Sequence, residues 1–557
     1  MTNANTSVRP ASPPASLPPA ASNATRHLCA GAYLDEQFQR TSLNEVYHQE
    51  GRLVAPSYGF DLVAVLGHCL QARRLVTIRD AVILGVLVVS ACAAPLAFGF
   101  ALTALVTLYL ITSTVRLIQD TVRELRQGSR ASAGLIVGRT ALVLLRFLIA
   151  GVLLLLLGPI VFAASLGTVA AMQSGGRDPS LAAFSLHPSV MLMVLLLVLA
   201  PPVVANLVRQ SRLDTFAPGR MPTPPARSHR FDDIRRQETG NTIVYSGYRP
   251  FVGAGYLWKS WGLAQRLVRA GSPLKGLAPE GEREFASAPF TAAELVGHLR
   301  DELTTLTTEQ APERRLPGLT VDDRVFLAGT KTAQLIPYTP PEHVAEILRN
   351  PTAPARHYLV CQVVSWRGEL VTTVHVHVAV QGKSLYIEFT STALPPCDDR
   401  YRVVDQVGGT GREAYLRATV RGLLDAPTTI GQAPINLIRA GVNAVLNSNW
   451  TKADRQVRAG YDYGATVSVR ELGTAPDTRN HIQTQEIDKY QRIIERRLLA
   501  AVLDFLDGRG VDTTEYRQRA LTVLNAGAVV TNGSLTVHGD VNATQTLSAA
   551  VNPGGDR

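Results

Sequence analysis

Cysteine is scarce in this chain. There are five in 557 residues (Cys29, Cys69, Cys92, Cys361, Cys397), odd in number, far apart and without a CxxC pair. That pattern excludes a disulfide framework and a zinc ribbon, and it fits a reducing, cytoplasmic setting for the soluble parts. The spacings of common catalytic loops are missing too. No GxSxG elbow, HExxH helix, kinase loop or paired catalytic carboxylates occur, so local sequence writes in neither hydrolase, zinc-protease nor kinase chemistry. Residues 1–25 lack the apolar core of a cleavable signal peptide and, with RPASPPASLPPAAS, read as a disordered tail.

Charge is absent from one long stretch. Ala81 to Val115 are 35 consecutive uncharged residues, more than the roughly 20 that one crossing needs. Pro95 and Gly99 interrupt the run, which predicts a hairpin of two helices, about 80–97 and 99–118, with its turn at the far surface. Residues 147–171 and 189–208 are each long and apolar enough to span as well, so four membrane helices are expected over 80–209. Arginines set their orientation. Arg73, Arg74 and Arg79 precede the first helix, Arg116, Arg123, Arg126, Arg130 and Arg139 lie between the second and third, and Arg209, Arg212, Arg220, Arg227 and Arg230 follow the fourth. The loop 172–188 has only Arg177, balanced by Asp178. A multi-pass protein of the cell membrane with both termini cytoplasmic follows. The net charge of +10 needs no nucleic acid to explain it. Arg146, at the edge of the third helix, reads as a snorkelling side chain, or as the lining of a small pore.

What is present beyond the membrane is a large soluble part. The expected organisation is a tail (1–28), cytoplasmic amphipathic helices (29–79), the membrane region (80–209), a basic Pro-rich linker (210–230), a cytoplasmic α+β module (231–525) and a C-terminal hairpin with a flexible tail (526–557). Strand-like runs at 242–246, 357–366, 370–380 and 383–391 predict an antiparallel sheet, with turns at Arg367-Gly368-Glu369 and Gln381-Gly382. Helical periodicity marks 291–307, 341–349, 411–425 and 483–507. The fold class is therefore a four-helix transmembrane bundle plus a cytoplasmic α+β module with an antiparallel sheet.

Candidate ligand groups are few. His375 and His377 alternate on one strand, so both imidazoles project from one face, and Glu388 on the next strand could add an oxygen to a metal there. A partly polar sheet face explains the same residues. His48 and His68 lack ligand spacing and read as satisfied or surface histidines. Two glycine loops compete as phosphate sites: PFVGAGYLWKSW with Gly253 and Gly255, and DQVGGTGREAYL with Gly408, Gly409 and Gly411 before a helix. Neither has the spacing of GxxxxGK[ST] or the full GxGxxG. The first is better read as a turn that lets Phe251, Tyr256, Leu257 and Trp258 pack. Arg458, Tyr461, Tyr463 and Arg470 mix basic and aromatic residues without a nucleic-acid fold signature, and solvated charge is the expectation.

The segments NTIVYSGYRPFVGAG, CQVVSWRGELVTTVHVHVAVQGKSLYIEFTSTALPP, RAGYDYGATVSVRE and IERRLLAAVLDFLDGRGVDTTEYRQRALTVLNAGAVVTNGSLT, with VAPSYGFDLVAVLGHCLQARR before the membrane, resemble a family of multi-pass membrane proteins from actinobacteria. The resemblance covers most of the chain outside the tail and implies topology without an activity. A membrane protein of this build is also associated with cytoplasmic contractile injection particles, which it joins to the membrane during stress-induced cell death. The expected role is a membrane-anchored, non-enzymatic scaffold or signalling protein, with membrane attachment of such particles, or a nucleotide- or metal-responsive enzyme module or small pore, as alternatives. Its expected partners are the lipid bilayer and a cytoplasmic protein, with homo-oligomerisation open, and no cofactor and no nucleic acid.

Overall fold

The computed structural model describes residues 22–126, 188–271, 283–309, 315–447, 462–475, 480–525, 528–531 and 534–537, without 224, 248, 333–334, 407–408 and 410, and with a few helical positions between 141 and 152. Arg146 and most of the expected third membrane helix lie outside them.

Helix α1 (Asn23–Leu34) starts inside the stretch expected as tail. The Ser22 hydroxyl accepts from the Thr25 amide, which caps the first turn and fixes where the helix begins. A short α2 (Glu36–Ser42) follows, with Asp35 as its cap. Asp61 caps α3 (Leu62–Ala93), so the amphipathic turn expected before the membrane and the first membrane helix are one 32-residue element. The break falls at Ala94 (φ −147°, ψ 70°), and α4 (Pro95–Arg126) restarts on a proline, which needs no amide partner in a first turn. The next long apolar helix among the described residues is α5 (Pro188–Asp214). Among the described residues three helices are long and apolar enough to cross a membrane, within 62–93, 97–119 and 189–214.

After α6 (His229–Glu238) comes the module. Its sheet has six strands: β1 (Thr242–Tyr245), β2 (Tyr256–Arg266), β3 (Leu319–Ala328), β4 (Arg356–Ser365), β5 (Leu370–Gln381) and β6 (Ser384–Leu394), in the order β1-β3-β4-β5-β6-β2. The meander β3 to β6 and its neighbour β2 are antiparallel, whereas β1 pairs in parallel with β3. The sheet is thus mixed, not purely antiparallel, because the chain returns from β1 through β2 and α7 (Ala292–Thr308) before laying down β3. One sheet face carries Val374, Val376 and Val378 onto α7 and α10 (His481–Gly508). The other is covered by Phe251, Val252 and Ala55. Both faces being covered, β5 is buried from Leu370 to Ala379. Two smaller helices, α8 (Pro341–Arg349) and α11 (Thr514–Asn525), flank this body, and β7 (Ala528–Thr531) pairs with β8 (Ser534–Val537) at the expected hairpin.

Two features connect module and membrane region. The segment before the membrane shares one apolar core with the module: Leu28, Phe38 and Leu66 pack with Phe216, Tyr401 and Val469. The Pro-rich linker is docked on it, since Arg230 donates to the carbonyls of Tyr47 (2.8 Å) and Val46 (2.7 Å). Secondly, the helix expected over 411–425 is α9 (Arg412–Asn447), which runs on through Pro427 and Pro434 and packs against α3, α4 and α5. Each proline removes one internal hydrogen bond, and the packing against neighbouring helices compensates.

Candidate functional site

The densest group of buried titratable side chains sits where α1 meets the β4–β5 turn and the 3-10 segment Asp399–Asp405. The turn is unusual. Trp366, Arg367 and Gly368 all have left-handed φ (52°, 54° and 87°), a conformation that costs a side-chain-bearing residue about 1–2 kcal/mol. Only glycine fits at 368, where a Cβ would stand 2.1 Å from the Gly59 carbonyl. The turn delivers Glu369 inward, 5% exposed.

Helix α1 meets it with two consecutive residues. His27 Nδ1 lies 2.5 Å from Glu369 Oε1 and its Nε2 lies 2.7 Å from Asp405 Oδ2. Ionised carboxylates only accept, so with both ionised each ring nitrogen donates. Arg26 pairs with Asp405 and also donates to the Phe216 carbonyl at 2.9 Å. The other oxygen of Glu369 accepts from the Cys397 amide (2.8 Å) and Arg402 (3.3 Å). Arg470, expected in solvent, is fully buried and donates to the carbonyls of Glu369 (2.9 Å) and Pro395 (2.8 Å). Burial alone would raise the Glu369 carboxyl; the hydrogen bond and charge of His27, the charge of Arg470 and the Cys397 amide outweigh it and bring it down to about 2. Asp405 is likewise held below the ordinary carboxylate range, burial being overcome by Arg26 and His27.

His27, Glu369 and Cys397 offer a nitrogen, an oxygen and a sulfur all within 4.8 Å of one another, a donor set that suits a divalent transition metal. The surroundings fit an ion-pair lock better. Both imidazole nitrogens already have carboxylate partners, burial pushes the Cys397 thiol far up, and the Glu369 carboxylate already accepts from Arg402 and the Cys397 amide. No nucleophile is accessible here, because His27, Glu369 and Cys397 are at most 5% exposed.

The expected metal group is not gathered in this way. His375 is fully buried against Phe251 (ring centroids 4.3 Å), and its Nδ1 lies 3.3 Å from the Thr390 carbonyl. Burial pulls its imidazole down to about 3. His377 Nδ1 donates to the His357 carbonyl at 2.8 Å and is also lowered, burial first among the causes. Glu388 stands opposite His377 across β5 and β6, with Tyr358 Oη and Thr390 Oγ1 each 3.5 Å away. The first glycine loop does hold an anion, and it is a protein one: the amides of Gly253 and Gly255 donate to Glu471 Oε1 at 2.8 and 3.1 Å. In the second loop the Gly409 amide donates to the Gln406 carbonyl, its own carbonyl accepts from Gln210, and the Gly411 carbonyl accepts from Ala414 and Tyr415 at the start of α9. Gly408, Arg458 and Tyr461 lie outside the described residues. Tyr463 is buried, its amide donating to the Gly329 carbonyl and its carbonyl accepting from the Leu53 amide.

Sequence reasoning missed the lock because its members stand at 26, 27, 369, 397, 405 and 470, with no local spacing. The available hint was WRGE, a turn that ends in a carboxylate just before a strand rich in β-branched residues. Neither a curated protein nor a solved structure matches the chain. The model of the AbeC-like domain matches residues 260–541, so the lock ties that domain to α1, which lies outside it. This match takes in just over half of the sequence, and the chain belongs to the AbeC-like domain family.

Proposed function

We propose that this is a membrane-anchored, non-enzymatic scaffold or signalling protein whose module is held rigidly on the membrane helices and presents its outer surface to a cytoplasmic protein. The observation that carries the reading is α9, which leaves the module and seats on α3, α4 and α5. The sealed state of the His27 group supports a structural over a chemical role for it. In this reading four helices cross the membrane and both termini are cytoplasmic. The contact of Arg26, before α3, with Asp405, after α5, fits an even count, for which the apolar run of the sequence at 147–171 is the candidate fourth crossing.

The test is photo-crosslinking in living cells from a photoreactive amino acid placed at exposed module positions, Tyr338 and Tyr386. Repeated recovery of one cytoplasmic protein, weakened when Glu369→Ala opens the lock, is the expected result. Contractile injection particles, if they are the partner, appear as that protein. Crosslinks only to other copies of the chain overturn the reading.

A further inference from the structure

Among the described residues, helix α9 has an inner face packed on other helices and an outer apolar face that is exposed. Inside, Ala426, Ile430 and Ala433 join a core with Ala97 and Ala101 of α4 and Val194 of α5. The approach is close: a Cβ on Gly422 would come within 2.9 Å of Val203 Cα. Small residues at such a seam are how helices associate in lipid, where apolar surface alone gives no drive. Asn436 donates to Asp80 at 3.1 Å, and Asp80, 1% exposed just before the uncharged run of α3, has Arg79 as its other partner. Carboxylates at membrane depth face protein and find partners there, and α9 provides this one.

Outside, Leu416, Val420, Leu423, Ile435, Ile438 and Val442 are 40–68% exposed. At 100° per residue they fall within a stripe of roughly 120°, on the side opposite Gly422 and Ala433. Charge is distributed to match. Arg412, Glu413, Arg417, Arg421 and Asp425 all lie in the first 14 residues, and the remaining 22 contain only Arg439. Those 22 residues are about 33 Å of helix, comparable to the roughly 30 Å of a bilayer's hydrocarbon core. The stripe also continues the exposed apolar surface of α5 at Leu192, Met193 and Leu196.

We infer that α9 is a membrane-embedded helix inserted from the module's side of the bilayer, with its outer stripe against lipid acyl chains. The described segments before and after α9 meet in the module: the Asp398 amide donates to the Gly473 carbonyl at 3.0 Å, and Cys397 bridges to Thr474. The prolines and polar residues of α9 hide it from a hydropathy reading, yet the neighbouring helices satisfy what they disturb. The inference rests on the proposed seating of the module on membrane helices and adds the bilayer itself as the partner of α9.

Full-length protein reconstituted in nanodiscs containing a phosphatidylcholine with a diazirine in its acyl tail tests this. After photolysis, lipid adducts are expected on the peptide containing Ile435–Val442 as well as on Leu192–Leu197, with none at the module's Tyr386. Adducts on α5 but not on 435–442 overturn the inference, because protein and not lipid then covers those positions. Neither result depends on finding a cytoplasmic partner, so this inference and the proposed function fail separately.

Discussion

The module is fastened to the rest of the chain by two joints of different material. At α1 an ionic centre is set into a shared apolar core: one imidazole stands between two carboxylates, with arginines paired to them, beside Leu28, Tyr401 and Val469. At α9 the joint is apolar and small-sided, Ala426, Ile430 and Ala433 against α4 and α5. A buried ion pair contributes little net stability over an apolar replacement, but removing one partner is costly, so the first joint specifies geometry. The second depends on shape, and small changes in volume open or close it. A module held only by an apolar patch could slide on the membrane helices; the lock gives it one register.

Breaking the ionic joint has the largest expected effect. Glu369→Ala leaves His27, Arg402 and Arg470 facing an uncompensated site and should lower the unfolding free energy by about 3–5 kcal/mol in denaturant titrations of the detergent-solubilised protein. Combining it with His27→Ala should cost less than the sum of the two single changes, as a shared interaction requires. At the apolar joint Ile430→Ala should cost about 2–3 kcal/mol, and unlike the ionic change its effect should not vary between pH 7 and pH 3.

Acid distinguishes the joints further. The Glu369 carboxyl has an ordinary value of 4.5 and lies at about 2 when folded. Its contribution is therefore fully present above about pH 4.5 and is lost as the pH falls through about 2. Melting temperature followed from pH 5 to pH 2 should drop along that window, and Glu369→Gln should flatten the slope. Asn436→Leu removes one hydrogen bond to Asp80 and should cost about 1–2 kcal/mol. The smallest effect is expected far from both joints: Thr291→Ala breaks the capping box of α7 and should cost about 1 kcal/mol without altering lipid labelling of α9 or the acid slope.

How much of this the sequence disclosed follows the range of the interactions. Strands β4, β5 and β6 were readable because their β-branched runs are bounded by short turns, and α10 because its apolar face repeats at helical spacing. Strand β2 was hidden by the glycines before it and β3 by Asp322, Asp323 and Arg324, whose ion pairs with Arg300 and with each other let charges sit in a strand. Helix α9 past residue 425 was masked by Pro427, Gly431 and Pro434, residues that break a helix in water and are tolerated among membrane neighbours. Arg470 looked like solvated charge because nothing near it in sequence announces two waiting carbonyls. The glycine loop at 253–255 lacks the full spacing of a phosphate loop and reads as a turn, and the fold adds that its two amides are taken up by the Glu471 carboxyl group.

The distance along the chain between the halves of the lock has a consequence in time. His27 and Asp405 are 378 residues apart, and synthesis at about 5–20 residues per second separates them by about 20–80 s. Through most of that interval His27 lacks both of its carboxylates, while α3, α4 and α5 are completed within its first half. The lock therefore closes only after the membrane helices are made, and a correctly paired His27 is a mark of a finished molecule.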